Sequence, residues 1–459
     1  MLTPTAAAPD AQAPWALDSW RSCPARQQPA YDDPQALHRA LETLGQRPPL
    51  VGAERILQLK GLLAEAQQGR RFVLQLGDCA ERFDHNDLAN TTRQVALLQQ
   101  MSQVLMHGLQ LPVIQVGRLA GQYAKPRSGD MEDRHGVSLP VYRGDSVNGH
   151  AFDAAARRAD PQRLLQSHGH SARTLDHLHT LQEAGIDNLL LDERWSLAWL
   201  EQAQDQARLR PFLSQVHGTL RFMRTLAGSQ PGEFLHREMY ISHEALLLEY
   251  EQALTRQHTD GRWFNLATHW PWVGLRTAQP EGAHVEYLRG VANPLAVKVG
   301  VDTDPAQLRQ LLAQLNPGNE PGRLTLIHRM GAANLQAHLG RLIDTVNAAD
   351  AKVLWLCDPM HGNTRSLPCG TKTRAFDDIL AEIAAAFTVH ARHGSRLGGL
   401  HLEASGDDVS ECLGGAVGLQ PADLGRRYLS QVDPRLNRDQ ALELAARVSL
   451  DAHAWQQCP

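Results

Sequence analysis

The sequence predicts an α/β protein built as a closed (β/α)8 TIM barrel, with an N-terminal arm and helical extension and helical insertions. Three observations carry that expectation. Eight short apolar runs read as strands, most of them separated by stretches in which apolar residues recur at helical spacing. Residue types suited to chemistry stand just beyond several of these runs, where the loops of a parallel barrel converge on one face. A chain of 459 residues is also long enough for one barrel with extensions. The expected division is residues 1–70 as an arm and helices packing on the barrel, and residues 71–459 as the barrel itself with a helical insertion around 193–225.

Residues 1 to about 33 are Pro- and Ala-rich with Trp15 and Trp20, and read as an arm against the body or a neighbouring subunit. Two helices follow from Pro34 to Gln68, broken at Arg47–Pro49. Strand one is Phe72–Leu76, closed by Gly77, Asp78, Cys79 and Glu81; strand two is LPVIQVG, running into the glycine-rich GRLAGQYAKPRSGD. A third strand is expected at Asp187–Leu191, and SHEALLLEYEQALTR reads as an amphipathic helix. The fourth strand is placed at Trp263–Thr268, with THWPWVGLRT as its loop. The fifth is NPLAVKVG, carrying Lys298, and the sixth is RLTLIHRMG, ending at Arg329. The seventh is Val353–Leu356, running into CDPMHGNT, and the eighth is LGGLHLEASG, ending in Glu403.

Composition narrows the function. With 42% hydrophobic and 21% charged residues and a formal net charge of -5, the chain is globular and lacks the basic footprint of a general nucleic-acid binder. Cys23, Cys79, Cys357, Cys369, Cys412 and Cys458 show neither CxxC pairs nor framework spacing, which suits reduced thiols. There is no apolar run long enough to cross a bilayer and no secretory leader pattern, so a cytoplasmic protein with no membrane partner is expected.

Two sets of residues collect at the strand ends. Cys79, His361, Glu403 and Asp433 offer soft, borderline and hard donors for a divalent transition metal. Arg118, Lys125, Arg127, Arg276, Lys298 and Arg329, with the Ser128 hydroxyl, bring cations from four strand ends, and guanidinium forks suit phosphate and carboxylate. A metal that polarises a carbonyl beside a ring that holds several negative groups points to a multiply anionic substrate condensing at the metal.

Taken together, SWRSCPARQQP, QLGDCAE, GRLAGQYAKPRS, YRGDSVNG, SHEALLLEYE, GAHVEY, NPLAVKVG, CDPMHGNT, KTR, ECLGG and DPRLN make a chain that resembles class II 3-deoxy-D-arabino-heptulosonate 7-phosphate (DAHP) synthases almost end to end. The resemblance implies condensation of phosphoenolpyruvate with erythrose 4-phosphate at the head of the shikimate pathway. It further implies a divalent metal, Mn²⁺ ahead of Co²⁺, Fe²⁺ or Zn²⁺, held by Cys79, His361, Glu403 and Asp433. Phosphoenolpyruvate would lie on Arg118, Arg276, Lys298 and Arg329, and the aldose phosphate on Lys125 to Ser128. Lys125 and Glu81 are the candidates for acid–base work, and a homodimer or homotetramer is the implied assembly. The chain departs from the family pattern at several points: Leu275 replaces the Glu of Gly-Glu-Arg, Thr268 a small Ala, His328 a Ser and Leu356 a Gln. The missing carboxylate at Leu275 opens two alternatives, a secondary-metabolism relative with an altered acceptor or weakened activity, and an inactive ligand-binding homologue.

Overall fold

The structure, a computed structural model, describes residues 14–183, 197–227 and 239–457. Eight parallel strands close into a barrel in chain order: β1 (Phe72–Gly77), β2 (Val113–Arg118), β3 (Met239–Glu244), β4 (Trp270–Val273), β5 (Leu295–Val299), β6 (Leu324–His328), β7 (Val353–Cys357) and β8 (Gly399–Glu403). Closure is made by β1 against β8, with Val73 opposite Gly399 and Gly77 opposite Glu403. Helices α1 (Pro34–Gly45) and α2 (Ala53–Gln67) precede the barrel, and α3 (Leu88–Leu109) joins β1 to β2. Between β2 and β3 stand α4 (Gln162–Glu183) and α5 (Gln206–Ala227). The later crossovers are α6 (Leu248–Ala253), α7 (Ala283–Arg289), α8 (Pro305–Leu315), α9 (Leu335–Ala348) and α10 (Phe376–Arg392), and α11 (Arg438–Gln457) follows β8.

Strand alternation sorts side chains into two cores. Val73, Ile114, Val116, Tyr240, Trp270, Trp272, Ala296, Ile327, Leu354 and Leu356 fill the barrel together with Leu59, Leu63 and Ala66 of α2. That helix therefore plugs the amino-terminal end, and the open mouth lies at the carboxyl ends of the strands. Alternate residues such as Leu74, Leu326 and Cys357 join the larger core under the outer helices.

Two strand assignments differ from the sequence reading. Residues 239–244 are β3, and helix α6 covers only Leu248–Ala253 of the expected amphipathic stretch. Pairing with β2 (Gln115 opposite Met239, Gly117 opposite Ile241) gives this segment a ladder that outweighs its helical pattern. The fourth strand is Trp270–Val273, because its two tryptophans are needed to fill the barrel. Trp263–Asn265 instead pairs antiparallel with Thr255–Gln257 outside it. Pro271 inside β4 made that run look like a turn. The strand expected at Asp187–Leu191 lies outside the described residues.

The arm is tied down by its polar groups. Trp20 is buried and donates to Gln252, Arg21 forms a fork with Glu249 at 2.7 and 2.5 Å, and Trp15 donates to the Glu286 carbonyl. Gln27 bonds both the amide and the carbonyl of Arg127, so the arm also braces the Lys125–Ser128 loop.

Helices α3 and α11 meet where Gly108 faces Ser449, so closely that a Cβ on Gly108 would overlap the Ser449 Cβ. Gly108→Ala should therefore lower stability by about 1–3 kcal/mol despite the better helix propensity of alanine. Gly169→Ala, in α4 with nothing within 4 Å, should be neutral or gain up to ~1 kcal/mol. Denaturant midpoints of the two variants compare them directly.

Candidate active site

The metal-donor set assembles from four loops. Gly77 lets the ends of β1 and β2 approach, since a Cβ there would strike the Arg118 carbonyl, and Cys79 follows one turn later. Glu403 ends β8, His361 stands in the short turn after β7, and Asp433 comes from the loop before α11. One donor atom from each lies within 4.8 Å of the other three. All but His361 are buried, and His361 is half-buried.

Burial sets the protonation states of the donors. Burial pushes the Cys79 thiol up to about 12, with the Glu403 charge adding to the effect. Burial lowers His361, favouring the neutral ring. Its Nδ1 faces Asp358 Oδ2 at 2.7 Å, which assigns that nitrogen the proton and leaves the Nε2 lone pair toward Glu403 Oε1 at 3.1 Å. Two lone-pair atoms facing each other is an arrangement that a cation between them resolves. Glu403 Oε2 makes no hydrogen bond either, although the Arg374 guanidinium sits 2.8 Å away. The Lys125 ammonium stands among the donors, in contact with Cys79 Sγ and 2.5 Å from Asp433 Oδ2. Burial alone would depress Lys125, but Asp433, Cys79 and Glu403 outweigh it and raise its pKa. The donor types and their spacing fit a divalent transition metal.

Beside the donors opens a cleft of about 440 Å³ lined by Arg118, Lys125, Arg127, Ser128, Arg276, Lys298 and Arg329, and also by Cys79, His361 and Asp433. The cations are of two kinds. Arg118 and Lys298 are buried and already paired: Arg118 bonds Glu403 at 3.1 Å, the Cys79 carbonyl at 3.3 Å and His401 at 2.8 Å, and Lys298 bonds Asp358 at 2.7 Å. Both flank the Trp272 ring, at 5.3 and 5.9 Å from its centroid. Arg127, Arg276 and Arg329, by contrast, have no carboxylate within ion-pairing distance among the described residues; Arg276 donates only to the Ser128 hydroxyl, at 2.7 Å. Unpaired guanidinium groups converging on one cleft make an anion site.

Glu81 stands apart from this group. Its carboxylate accepts the backbone N–H groups of Ala120, Gly121 and Gln122 at 2.7–3.0 Å and does not line the cleft. Burial raises it to about 7 against those bonds. It shapes the loop that leaves β2.

Glu244 is a cleft residue that the sequence reading missed, because that segment was taken as helix. It ends β3, and its Oε1 is buried without a hydrogen bond. Burial raises its pKa, opposed by Lys298, Lys125, Arg118 and Arg276. Gly274 makes the room it needs, since a Cβ there would collide with the carboxylate. The aromatic and β-branched run Met239–Ile241 ahead of a charged residue was the available signal. Leu275 lines the same cleft and packs over Gly300.

The model of the class-II DAHP synthetase family matches residues 15–449 of this chain. The chain is 43% identical over 437 residues to a phospho-2-dehydro-3-deoxyheptonate aldolase of Streptomyces coelicolor, covering 95% of this chain and 97% of that one. It is 42% identical to the protein of that name from Neurospora crassa, over 95% and 94% of the two chains. To phospho-2-dehydro-3-deoxyheptonate aldolase AroG of Mycolicibacterium smegmatis it is 41% identical, over 94% of each.

If the four donors share one ion, Asp358→Asn should weaken Mn²⁺ binding about 10–100-fold through loss of His361 orientation, and Cys79→Ser at least as much. Calorimetric titration of metal into the chelator-treated protein measures both, and unchanged affinity in either variant would separate that residue from the site.

Proposed function

The chain belongs to the class-II DAHP synthetase family, and from that premise we propose that it condenses phosphoenolpyruvate with erythrose 4-phosphate, giving DAHP and inorganic phosphate at the entry to the shikimate pathway. One observation carries the reading: a complete metal-donor set and three unpaired guanidiniums share a single cleft. Cys79, His361, Glu403 and Asp433 hold the metal, with Mn²⁺ the ion we favour on donor type and family resemblance. When bound, the metal supplies Lewis acidity toward the aldehyde oxygen.

The protein groups do the positioning. Arg276 and Arg329 take the phosphate and carboxylate of phosphoenolpyruvate, while Arg118 and Lys298, fixed by Glu403 and Asp358, set its floor against Trp272. Arg127 and Ser128 receive the phosphate of the aldose, and the hydrogen bond from Arg276 to Ser128 joins the two subsites. The Lys125 ammonium, in contact with Cys79 Sγ and Asp433 Oδ2, would give way to an ion on those donors and would be the proton donor beside the aldehyde oxygen as it becomes a hydroxyl. The raised Glu244 carboxyl faces the same space and is the group we assign to the proton of the water that adds at C2, in place of Glu81.

Glu244 also bears on Leu275. A carboxylate already stands beside Gly274, so the loss of the family glutamate does not by itself argue for an altered acceptor or an inactive homologue.

A metal-loaded sample should release phosphate from phosphoenolpyruvate only when erythrose 4-phosphate is added, at about 1–10 per second. Arg329→Ala should raise the phosphoenolpyruvate KM at least about tenfold. No turnover across a panel of phosphorylated aldoses would end the proposal. For Leu275→Glu we expect less than about a threefold change in kcat, a difference under ~1 kcal/mol. A gain of about a hundredfold would instead show that the missing family carboxylate limits this enzyme.

A further inference from the structure

Outside the barrel wall, away from the cleft, lies a second group of donors. β6 and β7 end on His328 and Cys357, each following a residue, Ile327 and Leu356, that fills the barrel interior. Alternation therefore turns both outward, toward α10, which carries Glu382 and His390. All four are buried, none more than 1% exposed. One donor atom each from His328, Cys357 and Glu382 lies within 4.8 Å of the other two. Both ring nitrogens of His328 lack a hydrogen-bond partner, and so does Nε2 of His390, whose ring centroid is 5.6 Å from that of His328. A buried imidazole with neither nitrogen satisfied is a rare arrangement that calls for a partner.

We propose that His328, Cys357 and Glu382 form a second, structural site for a divalent transition metal of the Zn²⁺ or Fe²⁺ type. The charges balance, because a thiolate, a carboxylate and a neutral imidazole leave a bound dication with no net charge to bury. Burial lowers His328 to about 3, so its ring is a free lone-pair donor at neutral pH. Burial holds the Cys357 thiol protonated, so binding passes one proton from its sulfur to solvent. Glu382 is already oriented: Oε1 accepts the Met330 and Gly331 amides at 2.9 and 3.0 Å, and Oε2 accepts from Asn363 at 2.7 Å. Oε2, with a single donor, keeps a lone pair for the ion.

The location gives the site a purpose. His328 directly precedes Arg329, and Cys357 directly precedes Asp358, the partner of both Lys298 and His361. A metal there would clamp the roots of two cleft loops to α10, which already holds them through Glu382 and the Asp378 carbonyl. The inference depends on these donors and not on the proposed activity.

The experiment uses the full chain carrying Cys79→Ser, so that a thiolate signal cannot come from the cleft. Co²⁺ added to this protein after chelation should give a near-ultraviolet sulfur-to-cobalt charge-transfer band saturating at one ion per chain. The band should vanish in the Cys79→Ser, Cys357→Ser double variant and require at least about ten times more Co²⁺ in the Cys79→Ser, His328→Ser variant. No thiolate band in the Cys79→Ser protein, or a band that survives Cys357→Ser, overturns the proposal. If Cys357→Ser fails to fold, the metal content of otherwise unmodified protein decides: two ions per chain in the parent and one in His328→Ser are expected. Equal content in those two overturns the site.

Discussion

The buried carboxylate of Glu403 is the contact on which the mouth of the barrel depends. Two guanidiniums converge on it, Arg118 at 3.1 Å and Arg374 at 2.8 Å, and the His361 ring faces it at 3.1 Å. Burial works against its ionisation, yet His361, Arg374 and Arg118 outweigh that and hold its pKa well below the ordinary value. Removing one partner of such a pair leaves a charge stranded in low dielectric, at about 3–5 kcal/mol. Through Arg118 the carboxylate fixes the end of β2 to the Cys79 carbonyl, and through His361 it fixes the turn after β7. Asp358 repeats the device one strand away, holding Lys298 and His361 together.

These anions answer a physical difficulty. The proposed substrates, with two phosphates and a carboxylate, would need several cations in one cleft, and cations crowded together repel one another before any ligand arrives. The buried acids offset that repulsion beneath the cleft, while Arg127, Arg276 and Arg329 stay uncompensated above it, facing the ligand space. The charge is thus graded from a neutralised floor to a positive opening, which pre-organises the site and favours anions at its rim. Rigidity comes from below, where α2 closes the barrel with Leu59, Leu63 and Ala66, and from the arm, where Gln27 braces the Arg127 backbone.

Much of this was legible in the sequence, and the two misplaced strands share a cause. Runs such as Val353–Leu356 and Leu295–Val297 are apolar throughout, so a barrel strand shows plainly, and the polar residues at or beyond its carboxyl end show with it. That is how His361, Lys298, Arg329 and Glu403 were found. β3 and β4 escaped because their inward positions carry Ser242, Glu244 and a proline-interrupted Trp pair in place of aliphatics, and the function of the site had overwritten the strand pattern. Glu244 was lost with β3. Glu81 failed for a different reason: proximity in sequence to Cys79 says nothing of direction, and its carboxylate turns to three backbone amides.

The central claim is that one ion and one multiply anionic ligand meet between Glu403 and the three unpaired guanidiniums. Anomalous diffraction from crystals grown with Mn²⁺ and phosphoenolpyruvate tests it most directly. The account predicts a manganese peak at bonding distance, about 2.0–2.4 Å, from Cys79 Sγ, His361 Nε2 and an oxygen each of Glu403 and Asp433, with Lys125 displaced and the ligand phosphate on Arg276 and Arg329. Manganese bound elsewhere with Lys125 still among these donors, or phosphoenolpyruvate outside the reach of both arginines, would contradict it.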